Sequence, residues 1–421
     1  MEKIKSDTFC YLPFGSVYVA PDGNLCPCCI GTPFKEKINW KDFSSIDELI
    51  NSKPYRRIRK ELIEGIEPSE CDACFVNKNV HRQGSNREFE KHILEDDLYN
   101  DDFTVNKVTY LDLRLSNLCN FACRMCYHGL SSTWHEYWEY INGIKGYTKN
   151  NPKFIIADKN GIKKFSEGNI DTITKIYLAG GEPFINPQTF ELLDKFNDSQ
   201  ASNITVLINT NLSTLKYKGI DILNKLSRFK FVYFACSCDG INEVGEFQRP
   251  GFNTNKFLKN LKELVRRSKA HTNFRVEIDY TVSTINVFHT KEFIDFIHNN
   301  YLNRDNIRLH SVVEPFYFAT GFLEDNLKYK IIDLYKGFLE EYSDCGKLIG
   351  SIKVFIKGVE DSFSPEVQTK YQNEFKFLRH PPEETIRRFD EVHKTDYKKV
   401  APLLDNVIKQ YHKKRKNSYN I

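Results

Sequence analysis

The 421-residue sequence has no run of about 18 apolar residues, the length a membrane-spanning helix needs. Its first residues, MEKIKSDTFC, lack the apolar segment of a secretory signal. No strong charge of one sign is present either. The formal net charge is +4, and the one basic patch, KKRK at 413–416, is typical of a solvated tail. We therefore expect a cytoplasmic protein with neither a membrane nor a nucleic-acid partner.

A disulfide framework is not expected, although the chain contains 12 cysteines. In a reducing cytosol, clustered cysteines are more often ligands of metals or iron–sulfur clusters. Nine of the 12 fall into two groups, at residues 10–74 and 119–126. Of the other three, Cys236 and Cys238 are interpreted as small buried residues of a strand, and Cys345 as an inert thiol.

The hydrophobic pattern changes twice along the chain. Residues 1–100 are rich in loops and cysteine, with two short helices predicted at SSIDELI and YRRIRKELIEG. Residues 105–320 alternate short apolar runs with helical patterns, which predicts an α/β fold whose parallel sheet is curved or partly closed like a barrel. Residues 321–421 are predicted to be mainly helical. The six strand candidates are KVTYLDLRL, KIYLAG, NITVLINT, KFVYFAC, FRVEIDYTV and IRLHSVV.

Directly after the first predicted strand comes CNFACRMC, which holds Cys119, Cys123 and Cys126. Function gathers at the carboxyl ends of parallel strands. A structural zinc ion prefers four protein ligands. A [4Fe–4S] cluster bound by three cysteines instead leaves one iron open to an amine and a carboxylate. The next helix has an apolar face, from Trp134 to Ile141, that we expect to pack on the sheet, and we interpret His128 as a loop residue.

This spacing resembles the radical S-adenosylmethionine (SAM) superfamily, in which the open iron holds the methionine part of SAM. Further segments at successive strand ends also resemble the family: LAGGEPFINP, INTN, SCDG, FQRPG and VVEP. The resemblance covers about residues 105–320 and implies a partial (β/α)6 barrel. It also implies reductive cleavage of SAM to a 5′-deoxyadenosyl radical, which abstracts a hydrogen atom from a substrate.

The resemblance assigns roles to individual residues. The three cysteines of CNFACRMC would hold the cluster and be catalytic. Glu182 is expected to accept hydrogen bonds from the SAM ammonium group, and Arg249 to pair with the SAM carboxylate. Asn209 would contact the ribose, and Val312 and Val313 the adenine. Met125 stands where the family usually has an aromatic residue. The expected cofactor-binding residues are Met125, Gly180, Gly181, Glu182, Pro183, Asn209, Ser237, Asp239, Arg249 and Val313.

The N-terminal cysteines resemble the auxiliary-cluster pattern of SPASM and twitch domains, a cysteine followed by glycine-x4-cysteine and further cysteines. Those domains usually follow the barrel, whereas here the pattern precedes it. The resemblance implies a second [4Fe–4S] cluster in residues 1–100, and Cys26 and Cys29 leave its register open, with Cys28 favoured over Cys29. A four-cysteine zinc site is the alternative. The implied ligands are Cys10, Cys28, Cys71 and Cys74.

The leading hypothesis is therefore a radical SAM oxidoreductase or modifying enzyme supplied by an electron donor such as flavodoxin or ferredoxin. The substrate class stays open between a peptide and a small polar, sugar- or nucleotide-linked molecule that is oxidised, epimerised or dehydrated. Because the first cluster cysteine is already residue 10, we expect no leader-binding domain before it. The alternative is a non-catalytic iron–sulfur or zinc protein that carries electrons or binds nucleic acid. That alternative leaves the GGEP and SCDG segments unexplained.

Overall fold

A computed structural model describes residues 8–75, 98–155, 170–375 and 378–418. In these residues, eight strands form one mainly parallel sheet, and two others form a small hairpin. In chain order, the strands are β1 (Ser16–Val19), β2 (Leu25–Cys26), β3 (Tyr110–Leu113), β4 (Lys175–Leu178), β5 (Thr205–Thr210), β6 (Lys216–Tyr217), β7 (Ile220–Asp221), β8 (Phe231–Ser237), β9 (Phe274–Val282) and β10 (Ile307–Ser311). The order across the sheet is β10-β9-β8-β5-β4-β3-β1-β2, and β6 pairs with β7.

Helices follow most of these strands and make up the C-terminal part of the chain. The α-helices of the N-terminal and central parts are α1 (Leu12–Gly15), α2 (Ile46–Ile50), α3 (Lys53–Ile63), α4 (Asp72–Phe75), α5 (Trp134–Asn142), α6 (Tyr147–Asn150), α7 (Pro187–Leu193), α8 (Asp198–Ala201), α9 (Ile222–Leu226), α10 (Asn242–Gln248), α11 (Thr254–Ala270) and α12 (Thr290–Asn300). Those of the C-terminal part are α13 (Asp325–Glu341), α14 (Gly346–Asp361), α15 (Pro365–Glu374), α16 (Pro382–His393), α17 (Tyr397–Val400) and α18 (Leu404–Ser418).

The six predicted strands are confirmed as β3, β4, β5, β8, β9 and β10, which lie side by side in chain order. Their apolar runs fold this way because alternate side chains fill one buried face. Leu111, Ile176, Val206 and Val232 are partners on four adjacent strands, and all are fully buried. The mixed α/β class and the helical C-terminal region are likewise as the sequence predicts.

The sheet also continues into the cysteine-rich segment, which the sequence did not indicate. β1 pairs in parallel with β3, with Val17 opposite Leu111. β2 then returns antiparallel to β1 through a tight turn, in which the Gly23 N–H donates to the Ala20 carbonyl at 2.8 Å. Gly23 has a φ of 81°, a conformation that favours glycine. The cysteine-rich segment and the barrel strands therefore share one sheet and one hydrophobic core.

One packing prediction was wrong. The apolar face of α5 does not pack on the sheet; Trp134 and Ile141 form a small separate core with Ala122 and with Phe389 of α16. Helical spacing marks an apolar face but does not say which element covers it. The basic patch at 413–416 lies within α18, and Lys413, Arg415 and Lys416 are exposed, so it is a solvated helix end. In the described parts of the chain, no helix is long and apolar enough to cross a membrane.

The position of β1 in the common core can be tested with one matched pair of substitutions. Val17→Ala removes two methyl groups from a fully buried site and should lower the free energy of unfolding by about 2 kcal/mol. Val354→Ala, at an exposed site of α14, should change it by less than about 0.5 kcal/mol. Urea unfolding followed by far-ultraviolet circular dichroism measures both. Equal changes in the free energy of unfolding would show that β1 is not part of the hydrophobic core of the barrel sheet.

Candidate cofactor and cluster sites

Residues from six strand ends, far apart in the sequence, line one cavity at the carboxyl edge of the sheet. All three cysteines of CNFACRMC are among them, together with eight of the ten expected cofactor-binding residues. Pro183 and Asp239 are not. The lining residues named in the sequence analysis are Cys119, Cys123, Cys126, Met125, Gly180, Gly181, Glu182, Asn209, Ser237, Arg249, Val312 and Val313. Arg114, Thr281, Ser311 and Glu314 also line it and had not been predicted from the sequence.

The donor set of the CNFACRMC loop fits an iron–sulfur cluster. Burial raises the pKa of the Cys119, Cys123 and Cys126 thiols, to about 12 for Cys126, and the nearby Arg249 guanidinium opposes this at Cys123. Buried thiols of this kind ionise readily only when a metal replaces their protons. Within the described ranges, no three His, Cys, Asp or Glu side chains converge on a single-ion position. A cubane binds each cysteine through a different iron, so it does not require such convergence.

Glu182 is buried and already has partners on the chain. Its Oε1 accepts the Phe184 N–H at 2.9 Å and the Thr210 hydroxyl at 2.8 Å, and its Oε2 accepts the Asn211 N–H at 2.6 Å. These bonds tie the segment after β4 to the end of β5. Burial raises the pKa of the carboxyl to about 7, although these bonds oppose the shift. Oε2 can accept a further hydrogen bond, as the expected contact with the SAM ammonium group requires. That contact stays a prediction.

Arg249 lines the cavity beside the cluster loop and is held in place by a carboxylate. Its Nε donates to Asp239 Oδ2 at 2.6 Å, and its Nη1 lies 3.8 Å from Cys123 Sγ. Asp239 is fully buried, and its Oδ1 accepts the Thr281 N–H at 2.8 Å. Asp239 thus touches Arg249 rather than the cavity. Pro183 is also away from the cavity, as the buried first residue of a short 3-10 helix.

Two of the other cavity residues show how the walls are built. Met125 Sδ lies 3.5 Å from Gln248 Nε2, and Gln248 in turn donates to the Thr281 carbonyl at 3.2 Å. Val313 is 54% exposed, an apolar surface on which a flat ring could lie. The positioning role of Gln248 had no signal in the sequence, because it depends on the contact between α10 and the cluster loop.

Gly180 and Gly181 let the segment after β4 touch the cluster loop. Their φ angles are 76° and 56°, in the left-handed region. A Cβ at Gly180 would lie 2.9 Å from the Cβ of Arg114, and one at Gly181 would overlap the Leu118 carbonyl oxygen. The Glu182 N–H also donates to that carbonyl at 2.7 Å. The two glycines are therefore required by close packing of the chain on itself.

The four expected auxiliary ligands line a second, small cavity, of about 20 Å³. Burial raises the pKa of Cys28 and Cys71, so this set also fits a cluster that replaces the thiol protons. Cys26 and Cys29 do not line this cavity, and Cys26 is buried on β2. The geometry thus favours Cys28 in the register that the sequence left open. The four cysteines are Cys10, Cys28, Cys71 and Cys74.

A group of polar residues surrounds Arg114, which lines the cofactor cavity. Tyr18, Asp112 and Tyr177 are neighbours on β1, β3 and β4. The Arg114 Nε donates to Asp112 Oδ1 at 3.2 Å, and its guanidinium carbon lies 5.0 Å and 5.7 Å from the ring centres of Tyr177 and Tyr18. The Cys29 thiol hydrogen-bonds to the same carboxylate. Cys29 directly follows Cys28, one of the expected auxiliary ligands, so this group joins a wall of the cofactor cavity to the auxiliary segment of the chain.

The remaining candidates have ordinary structural roles. His128 Nδ1 lies 2.6 Å from the Tyr147 hydroxyl and its Nε2 lies 3.0 Å from the Pro152 carbonyl oxygen, so the chain uses both ring nitrogens. The isolated cysteines are buried, as interpreted from the sequence: Cys236, Cys238 and Cys345.

Comparisons with known proteins agree with this geometry. Residues 113–276 match the model of the radical SAM superfamily, and residues 10–75 match the SPASM model, an iron–sulfur cluster-binding domain. The chain thus contains a radical SAM domain preceded by a SPASM-type iron–sulfur domain, and the resemblance seen in the sequence is confirmed. The cofactors of these domains are a SAM-binding [4Fe–4S] cluster, SAM and an auxiliary cluster.

Solved structures are similar over part of the chain. One is native anSMEcpe with bound AdoMet and the Cp18Cys peptide, at 15% identity and a TM-score of 0.36, covering 57% of this chain and 62% of that one. Another is Streptococcus suis SuiB bound to S-adenosylmethionine, at 13% identity and a TM-score of 0.34, covering 56% and 44%. The match thus spans less than two thirds of either relative. The search of curated proteins found no match.

The close approach at Gly181 leads to a second test. Gly181→Ala should cost about 1–2 kcal/mol for the left-handed backbone and about 1–3 kcal/mol more for the overlap with Leu118. Gly219→Ala is the control, because φ there is 85° and nothing lies within 4 Å of the added Cβ. Urea unfolding should therefore separate the variants by at least about 1 kcal/mol, and only Gly181→Ala should bind less iron. Identical behaviour of the two variants would contradict the contact.

Proposed function

We propose that this protein is a radical SAM enzyme that abstracts a hydrogen atom from a peptide or a small polar substrate. When bound, the cluster and SAM would supply the chemistry: one electron would split the sulfonium into methionine and a 5′-deoxyadenosyl radical, which would remove a substrate hydrogen atom to give 5′-deoxyadenosine. The electron would come from an external donor such as flavodoxin or ferredoxin. We also propose a cytoplasmic location, where such donors and reduced thiols are found.

The observation that carries this proposal is the single cavity lined by Cys119, Cys123 and Cys126 together with the residues of the other strand ends. A cluster carrier needs bound thiolates, but it does not need a cavity that gathers residues from six strands. In this proposal, the three cysteines hold the open cluster. Glu182 receives the SAM ammonium, and Arg249 attracts the SAM carboxylate.

The cavity walls would do the rest of the work. Asn209 and Ser237 at the ends of β5 and β8 offer hydrogen bonds to the ribose, and Met125 and Val313 offer apolar contact to the adenine. Bound SAM would fill the side of the cavity near the cluster and exclude water from it. A substrate would then reach the cavity beside Arg114. The substrate radical left by hydrogen abstraction would lose one electron, to the auxiliary cluster, and one proton to give the oxidised product.

The test is anaerobic incubation of the reconstituted protein with SAM and dithionite, followed by chromatography of the products. The wild type should form 5′-deoxyadenosine and methionine in equal amounts. The triple change Cys119→Ala, Cys123→Ala and Cys126→Ala should abolish both products, since no open iron can form. Cys345→Ala is the control and should leave the yield unchanged. No 5′-deoxyadenosine from wild-type protein with its full iron content would favour an electron carrier instead.

The auxiliary site has its own test. With both clusters, the reconstituted protein should contain about eight irons, four for each cubane. Cys71→Ala with Cys74→Ala removes two of the four proposed auxiliary ligands and should halve the iron while 5′-deoxyadenosine still forms at a reduced rate. Iron and zinc analysis after anaerobic preparation measures this. Zinc in place of the second four irons would make this domain a structural clip.

A further inference from the structure

The cluster loop contains one buried cation. Arg124, directly after Cys123, has a fully buried side chain. Its Nε donates to the Phe247 carbonyl at 2.8 Å, and its Nη2 donates to Asp390 Oδ1 at 3.1 Å and to the Thr395 hydroxyl at 2.7 Å. The charge of this loop residue is therefore balanced by a carboxylate 266 positions later in the chain, on α16.

Aromatic rings enclose the same guanidinium. Its central carbon lies 3.7 Å from the ring centre of Phe247 and 4.9 Å from that of Phe389. Such stacking is characteristic of arginine and fixes the plane of the group. Lysine could not reproduce both the stacking and the paired hydrogen bonds.

An apolar contact joins the same two parts of the chain. Phe389 packs edge-to-face on Trp134 at 5.0 Å, and the Trp134 Nε1–H donates to the Cys123 carbonyl at 3.0 Å. These rings belong to the small core that also holds Ala122 and packs against Cys126. Both ends of the segment from 122 to 126 are thus packed under α5 and α16. Neither matched family model extends to α16.

We propose that α16, in the C-terminal part of the chain, helps to build the radical SAM cluster site. Asp390 and Phe389 position Arg124, and Arg124 in turn positions Cys123 and Cys126. The inference rests on the ligands assigned in the proposed function. An unpaired guanidinium at this depth is strongly unfavourable, so loss of the Asp390 charge drives Arg124 towards water. The backbone between two of the three cluster ligands moves with it.

The decisive variant is Asp390→Asn, which keeps the size of the side chain and removes its charge. Its matched control is Asp295→Asn. Asp295 also accepts hydrogen bonds from several side chains, but it does not contact the CNFACRMC loop; its donors are Lys291, Arg304 and Tyr342. Thr395→Val removes one hydrogen bond to Arg124 and one to Asp390 but no charge, and serves as a milder second variant that should fold. Circular dichroism checks that each variant is folded.

Two measurements on the reconstituted full chain report the cluster. The first is the rate at which a chelator bleaches the visible absorption of the iron–sulfur clusters. The second is the change that added SAM causes in the electron paramagnetic resonance spectrum of the reduced protein, which reports only the open cluster. Loss of a partner that orients metal ligands typically costs about tenfold to a hundredfold in metal affinity or activity.

In Asp390→Asn, we expect about half of the cluster absorption, that of the open cluster, to bleach at least about tenfold faster than in the wild type. The effect of SAM on the spectrum of the reduced protein should also be altered. Thr395→Val should show a smaller change in the same direction, and Asp295→Asn none. The proposal would be overturned if folded Asp390→Asn lost its clusters no faster than the wild type. It would also be overturned if Asp295→Asn lost them as fast as Asp390→Asn. If the wild-type spectrum does not respond to SAM, the proposed function fails, while the chelator experiment still decides the role of α16.

Discussion

The fold depends on holding a loop that has no regular structure of its own. Three half-buried thiols must face one cavity from the eight residues of CNFACRMC, and no helix or strand in that segment fixes them. Their positions come from outside the loop. The Glu182 N–H bonds to Leu118, the Trp134 ring bonds to the Cys123 carbonyl, and the Arg124 N–H donates to the Gln248 carbonyl at 2.9 Å. Three separate parts of the chain therefore hold this loop and the residue before it.

The same requirement explains why so many polar groups of the cavity are bound to one another. Asp239 restrains Arg249, and Glu182 restrains the end of β5. A polar side chain restrained in this way is oriented before any ligand arrives, so binding costs less conformational entropy. Burial nevertheless leaves the Glu182 carboxyl with a pKa of about 7, so a cationic ligand would meet a group ready to give up its proton.

The sequence predicted those features whose signal is local. Apolar runs buried on the sheet are visible as strands, and the cysteine and glycine motifs carry their spacing openly. β1 was missed because Ser16–Val19 is only four residues long, and its partner β3 lies about 90 positions away. The cover of α5 and the partner of Arg124 were missed for the same reason: pairing at such distance leaves no period in the sequence. Asp239 was assigned to the cofactor because a motif gives the residue but not the direction of its side chain.

The attachment of β1 to β3 has a consequence for the evolution of the chain. β3 has hydrogen-bonded neighbours on both sides, β4 and β1. Without β1, the backbone groups of Tyr110–Leu113 would form an open sheet edge, which invites pairing with other molecules. The SPASM-type segment is therefore more than a removable module that carries thiols. A lineage that discarded it would also have to protect the edge of β3 against aggregation. Loss of the auxiliary cluster domain would therefore make the remaining barrel more prone to aggregate.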